Sequence, residues 1–158
     1  MSSLLPDIDA CESLSLIEIS EPESNSVGFL IAEGRATGPE VSTGVGNPPI
    51  RARMVDDQNY RVFKVVWPSY VAYSVRNESY FVGDEYETFR GRRFVQYSRS
   101  RYLDFVLSGT IVQKLEPDAF RHWGIYCTDH VVDVVSLDEP VIEPVYRTRR
   151  RNGSKRRG

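Results

Sequence analysis

The chain has 158 residues, of which 41% are apolar and 27% charged, a length and balance that allow one domain with a real hydrophobic core. Its net charge of -2 hides an asymmetry: from Arg147 onward, RTRRRNGSKRRG holds seven of the 20 Lys and Arg and no acid, so the other 146 residues carry 13 basic and 22 acidic groups, a balance of -9. Cys11 and Cys127 are the only cysteines, too few for a disulfide framework or an unaided structural zinc site. No segment approaches the ~20 apolar residues of a membrane helix, and the start shows no signal-peptide pattern. An intracellular, cytoplasmic protein without membrane contact is expected, the basic tail serving as a nuclear address if the source is eukaryotic.

Residues 1–13 read as an acidic, flexible lead-in; the first 34 residues contain seven acids and no Lys or Arg. LSLIEIS (14–20) alternates and suits a short or edge strand, and VGFLIAE (27–33) is an apolar run fit for a strand buried on both faces. Four glycines and three prolines within 34–49 predict an exposed, flexible loop. YRVFKVVW (60–67) and SYVAYSVRN (69–77) are predicted strands separated at Pro68, which cannot donate to a ladder and marks a bulge or turn. ESYFVGDEYET (78–88) reads as an acidic connection, and FRGRRFVQYS (89–98) as the next strand.

In 98–110, Ser98 or Ser100 is placed to cap a short helix with Leu103, Val106 and Leu107 inward, and Gly109 to end it. Thr128-Asp129 turns a hairpin between 120–127 and 130–136. A last strand at 140–146 belongs at an edge, since Pro140 and Pro144 remove donors. The tail has no apolar residue and is expected to be disordered. The expected organisation is a lead-in at 1–13, a single β-rich domain at 14–146 and a basic tail at 147–158. The expected fold is mainly β, an antiparallel sheet sandwich or open barrel with at most one or two short helices.

RGRRFVQY (90–97) matches an RNA-recognition octamer at Arg90, Gly91, Phe94, Val95 and Tyr97. Arg92 and Arg93 do not fit, because the third position of that motif carries a ring that stacks on a base. The interval from Asn77 to Phe89 is also too short for the helix and strand such a fold inserts. What survives is a broader patch: Arg90, Arg92, Arg93, Arg99 and Arg101 interleave with Phe89, Phe94, Tyr97 and Tyr102, a combination that suits phosphates and bases. Its structural alternative is a solvated strand face whose arginines pair with the acidic loop at 78–87.

The final hairpin holds the best acid–base constellation. With Thr128-Asp129 as its turn, Tyr126 opposes Val131, Gly124 opposes Asp133 and His122 opposes Val135. His122 and Asp133 then share one face, with Trp123, Ile125 and Val134 on the other. A carboxylate that orients an imidazole begins acid–base chemistry; equally, it is a pair that fixes register. Cys127 lies opposite His130, the arrangement of an activated thiol or of a small core residue beside a turn. Arg76, Asn77 and Glu78, at a strand end, are weaker binding candidates. No complete catalytic, metal or phosphate-binding motif is present, Gly44-Val45-Gly46 included, and no metal or cofactor is expected.

Three functions stay open. The preferred one is a non-catalytic β-rich module that recognises another protein. The second is single-stranded nucleic-acid binding through the 89–102 patch and the tail, which by itself suits a polyanion. The third is a small acid–base enzyme centred on His122 and Asp133.

Overall fold

The computed structural model describes residues 4–42, 51–56 and 61–145. A short helix α1 (Leu5–Asp9) leads into β1 (Ser13–Ser20), β2 (Val27–Ser42), β3 (Arg51–Asp56) and β4 (Val62–Trp67). Past Pro68 the chain leaves this group and enters β5 (Ala72–Asn77), a 3-10 turn at Glu78–Tyr80, β6 (Thr88–Arg90) and β7 (Phe94–Arg99). Helix α2 (Arg101–Gly109) and two further 3-10 turns precede β8 (Arg121–Tyr126), β9 (His130–Ser136) and β10 (Val141–Val145).

The protein is mainly β. Among the described residues, two five-stranded antiparallel sheets form, one in the order β1-β2-β4-β10 with β3 on the far half of β2, the other in the order β5-β9-β8-β7-β6, and neither closes into a barrel. Alternation dictates the core between them: Phe29 and Ile31, then Phe63, Val65 and Trp67, face Phe94, Trp123, Ile125, Val132 and Val134. Trp67 stacks on Phe94 across the sheets with centroids 6.1 Å apart. Truncating either buried tryptophan to alanine costs about 3–5 kcal/mol on general grounds. Pro140 and Pro144 flank and occupy β10, which pairs only with β4 among the described residues.

Three expectations are corrected. Residues 34–42, read as loop, continue β2 and pair with β3, Arg35 opposite Asp56 and Val41 opposite Ala52. A register shift between Thr37 and Val41 absorbs Pro39, so a partner strand overrides the Gly/Pro composition. Residues 43–50 lie outside the described residues, as do 147–158.

Residues 4–13 of the lead-in are held by apolar side chains. Ile8 is 0% and Cys11 1% exposed in the core, and Asp9 Oδ1 accepts the backbone N–H groups of Arg92 (2.7 Å), Arg93 (2.7 Å) and Phe94 (2.9 Å). Residues 89–98 are two strands rather than one. Gly91 has φ 102°, and a Cβ there would meet the Phe94 carbonyl oxygen at 2.3 Å, so the chain turns between β6 and β7.

Candidate functional site

The outer face of the second sheet, beneath α2, carries the polar residues of interest. The β8–β9 ladder sets Tyr126 opposite Val131, Gly124 opposite Asp133 and His122 opposite Val135, the register read from the sequence. His122 Nε2 lies 2.9 Å from Asp133 Oδ1, and Ser100 Oγ lies 2.7 Å from His122 Nδ1. Asp133 Oδ2 accepts from Arg76 Nη2 (2.8 Å), Arg76 Nε (3.1 Å) and Ser74 Oγ (3.3 Å). Ser100 Oγ also accepts the Leu103 N–H at 3.0 Å, capping α2.

The donors and acceptors assign the protons. A carboxylate only accepts, so the imidazole carries a hydrogen on Nε2; in the neutral ring Nδ1 then accepts from the serine hydroxyl. Ser100, His122, Asp133 and Arg76 thus form one chain in which every polar group is matched. The order serine, imidazole, carboxylate is that of a nucleophilic relay. However, Ser100 is 0%, His122 1% and Asp133 0% exposed, and the chain is sealed from solvent at its serine end. As it stands, the network fixes α2 on the sheet.

Aromatic rings complete the enclosure. Tyr97 stacks on His122 with centroids 4.1 Å apart and planes 6° from parallel, and Tyr102 tilts over the same imidazole at 5.3 Å. Gly124 makes the stack possible: a Cβ there would lie 2.8 Å from Val95 Cγ2 and 3.0 Å from Tyr97 Cε2. The Tyr97 and Tyr126 hydroxyls bond to each other, and burial pushes the pKa of both phenols up.

Of the two readings of Cys127, the structure places it as a small core residue, 4% exposed. Burial, reinforced by Asp129, pushes the Cys127 thiol up to about 12, the opposite of activation. The contact with His130 runs from the Cys127 N–H to the His130 carbonyl at 2.8 Å, while the His130 ring bonds Asp129 at 2.9 Å. Burial and the nearby Glu33 likewise raise the Cys11 thiol to about 11. Among the described residues, no cluster of three or more His, Cys, Asp or Glu is arranged to hold a metal ion.

The arginine–aromatic patch is dispersed rather than assembled. Arg92 Nη2 donates to the Cys11 carbonyl at 2.6 Å and Arg93 Nη2 to that of Glu12 at 2.6 Å, tying both to the lead-in. Arg99 Nε donates to the Tyr86 carbonyl at 2.6 Å, and Arg101 pairs with Asp84 at 2.6 Å, both guanidinium groups lying over the Tyr86 ring. Arg90 bonds the Gln96 side chain. Tyr97 is only 4% exposed and Tyr102 is half-buried, so neither ring offers an open stacking face. Of the strand-end residues, Arg76 serves Asp133, and Asn77 Oδ1 accepts the Ser79 N–H at 2.9 Å while Glu78 begins the turn it caps.

An open groove of about 620 Å³ lies beside the network, between the β6–β7 hairpin and the segment from α2 to β8. Phe89, Leu103, Leu107 and Phe120 supply its apolar surface; Arg90, Arg121 and Asp118 supply its charge. Arg90 and Arg121 are exposed, and Arg121 has no side-chain partner among the described residues. No family model, curated protein or solved structure matches the chain.

Sequence reasoning paired His122 with Asp133 and found the Ser100 cap, but did not join Ser100 to the pair. It missed the groove, whose walls come from residues 88–98, 103–107 and 117–121. The signal available was modest: Phe89 and Phe120 each stand beside an arginine, Arg90 and Arg121, at the ends of strands.

Proposed function

We propose that this chain is a non-catalytic protein-recognition module whose groove takes a segment of another protein bearing an apolar side chain beside a carboxylate. The observation that carries this reading is the groove itself: an apolar surface flanked by two guanidinium groups against one carboxylate. Its apolar side chains give an anchor the desolvated pocket it needs, and a guanidinium offers a fork that matches a carboxylate. The sealing of Ser100, His122 and Asp133 favours this reading over acid–base catalysis. The inward ties of Arg92 and Arg93 favour it over nucleic-acid binding by the 89–102 patch. Two free cysteines, both buried, support a reducing, intracellular setting. Among the described residues no helix is long and apolar enough to cross a membrane.

Selection of displayed random peptides on the full chain tests the reading. Enriched peptides should pair an apolar residue with Asp or Glu, and their binding should be lost in Arg121→Glu. It should persist in Val141→Asp, on the edge of the other sheet. Enrichment of basic peptides, or binding indifferent to Arg121→Glu, would overturn it.

A further inference from the structure

The acidic connection between β5 and β6 ends in a knob. Tyr80 is 85% and Val82 81% exposed, the two most exposed large apolar side chains among the described residues. Large apolar groups held this far into water are unusual unless a surface receives them. The knob is braced rather than loose. Phe81, between them, packs on Tyr126 at 5.5 Å and under the Arg76 guanidinium at 5.3 Å. The Glu78 N–H reaches the Asp129 carbonyl at 3.1 Å, and the Glu87 N–H reaches that of Asp84 at 3.0 Å. Glu78 and Glu85 flank the knob, exposed and with no side-chain partner among the described residues.

Knob and groove are complementary. One presents an aromatic and a branched aliphatic side chain between unpaired carboxylates; the other presents an apolar surface between Arg90 and Arg121. Within one molecule the two come near each other only at Tyr126, whose ring neighbours Phe89 of the groove at 6.4 Å as well as Phe81, and the Arg121 end of the groove lies beyond the knob's reach. Phe81 is anchored at Tyr126, the last residue of β8, whereas Arg121 is the first, five residues and roughly 17 Å away along the strand.

We infer that the chain associates with itself, the Tyr80–Val82 knob of one copy seated in the groove of another. This rests on the reading of the groove as a recognition site. Because knob and groove are different surfaces, the contact either reciprocates in an isologous two-fold pair or repeats head to tail as a heterologous one.

Sedimentation of the full chain over a range of concentrations tests it, with two variants at exposed positions that leave the core untouched. One is Tyr80→Ala with Val82→Ala; the other is Arg121→Glu. Wild-type average mass should rise with concentration and fall as salt is added. Each variant alone should weaken association at least about tenfold, the loss expected of an interface anchor. An equimolar mixture of the two should regain a complex, since one intact knob then meets one intact groove. A monomeric wild type that still binds selected peptides sinks self-association and leaves the groove standing. Association unaffected by either variant sinks the inference outright. A monomeric wild type that also binds no peptide removes both readings.

Discussion

A methyl group at position 124 would collide with Val95 Cγ2 at 2.8 Å and with the Tyr97 ring at 3.0 Å, and both belong to buried side chains. Gly124→Ala should therefore lift Tyr97 off His122 and cost about 1–3 kcal/mol of stability, as overpacking does. Urea denaturation measures this, and a change within about 0.5 kcal/mol would mean that the stack yields freely. The two thiols give a second residue-scale test. Each has its pKa raised, from an ordinary 9.0 to about 11 at Cys11 and about 12 at Cys127. At pH 8 neither should react with a thiol reagent in the folded protein, and both should react in denaturant. The sign for stability follows. The contribution of Cys127 is whole below pH 9.0 and is lost as pH rises through about 12, because in that window the unfolded state releases a proton that the folded state keeps.

At the scale of elements, α2 is held by one serine with two tasks. Ser100 caps the helix through the Leu103 N–H at 3.0 Å and gives His122 Nδ1 its partner at 2.7 Å. Ser100→Ala should lose about 0.5–2 kcal/mol for the cap and a further ~1–3 kcal/mol for the buried ring nitrogen left without a partner. Ser100→Thr, which keeps the hydroxyl, should recover part of the loss. If alanine costs no more than an ordinary cap, the imidazole bond is energetically idle. Asp9 plays a comparable part for α1, because one carboxylate oxygen satisfies three consecutive amides of the β6–β7 turn.

For the whole molecule, charge is divided between a body with a balance of -9 and a tail with seven basic groups. The body should repel phosphates, and the arginines that looked like a nucleic-acid patch are committed to Cys11, Glu12, Tyr86 and Asp84. The full chain should therefore bind single-stranded RNA only at low ionic strength and with a steep salt dependence. Residues 1–146 should show no measurable binding, because the described fold ends at Val145, before the basic tail. Saturable binding by residues 1–146 at low salt, measured by fluorescence anisotropy, would revive the patch.

The sequence by itself determined what local chemistry controls. Alternation in Arg121–Tyr126 and His130–Ser136, with a short turn between, set the hairpin register and placed His122 and Asp133 on one face. Ser100 set the start of α2 because a cap is local too, and Gly109 is its last residue, ahead of the C-cap Thr110. Aromatic and β-branched runs divided by Gly and Pro determined a mainly β fold. Only the tertiary structure decided the rest. Gly34–Ser42 became strand because β3 was there to pair with it. Ile8 was buried because a core needed covering, and Gly91 turned because Phe94 closed against it. Ser100 met His122 across 22 residues, and the groove drew on three separate stretches of chain. Hydrogen bonds and burial of that kind depend on distance in space, which the order of residues along a chain does not carry.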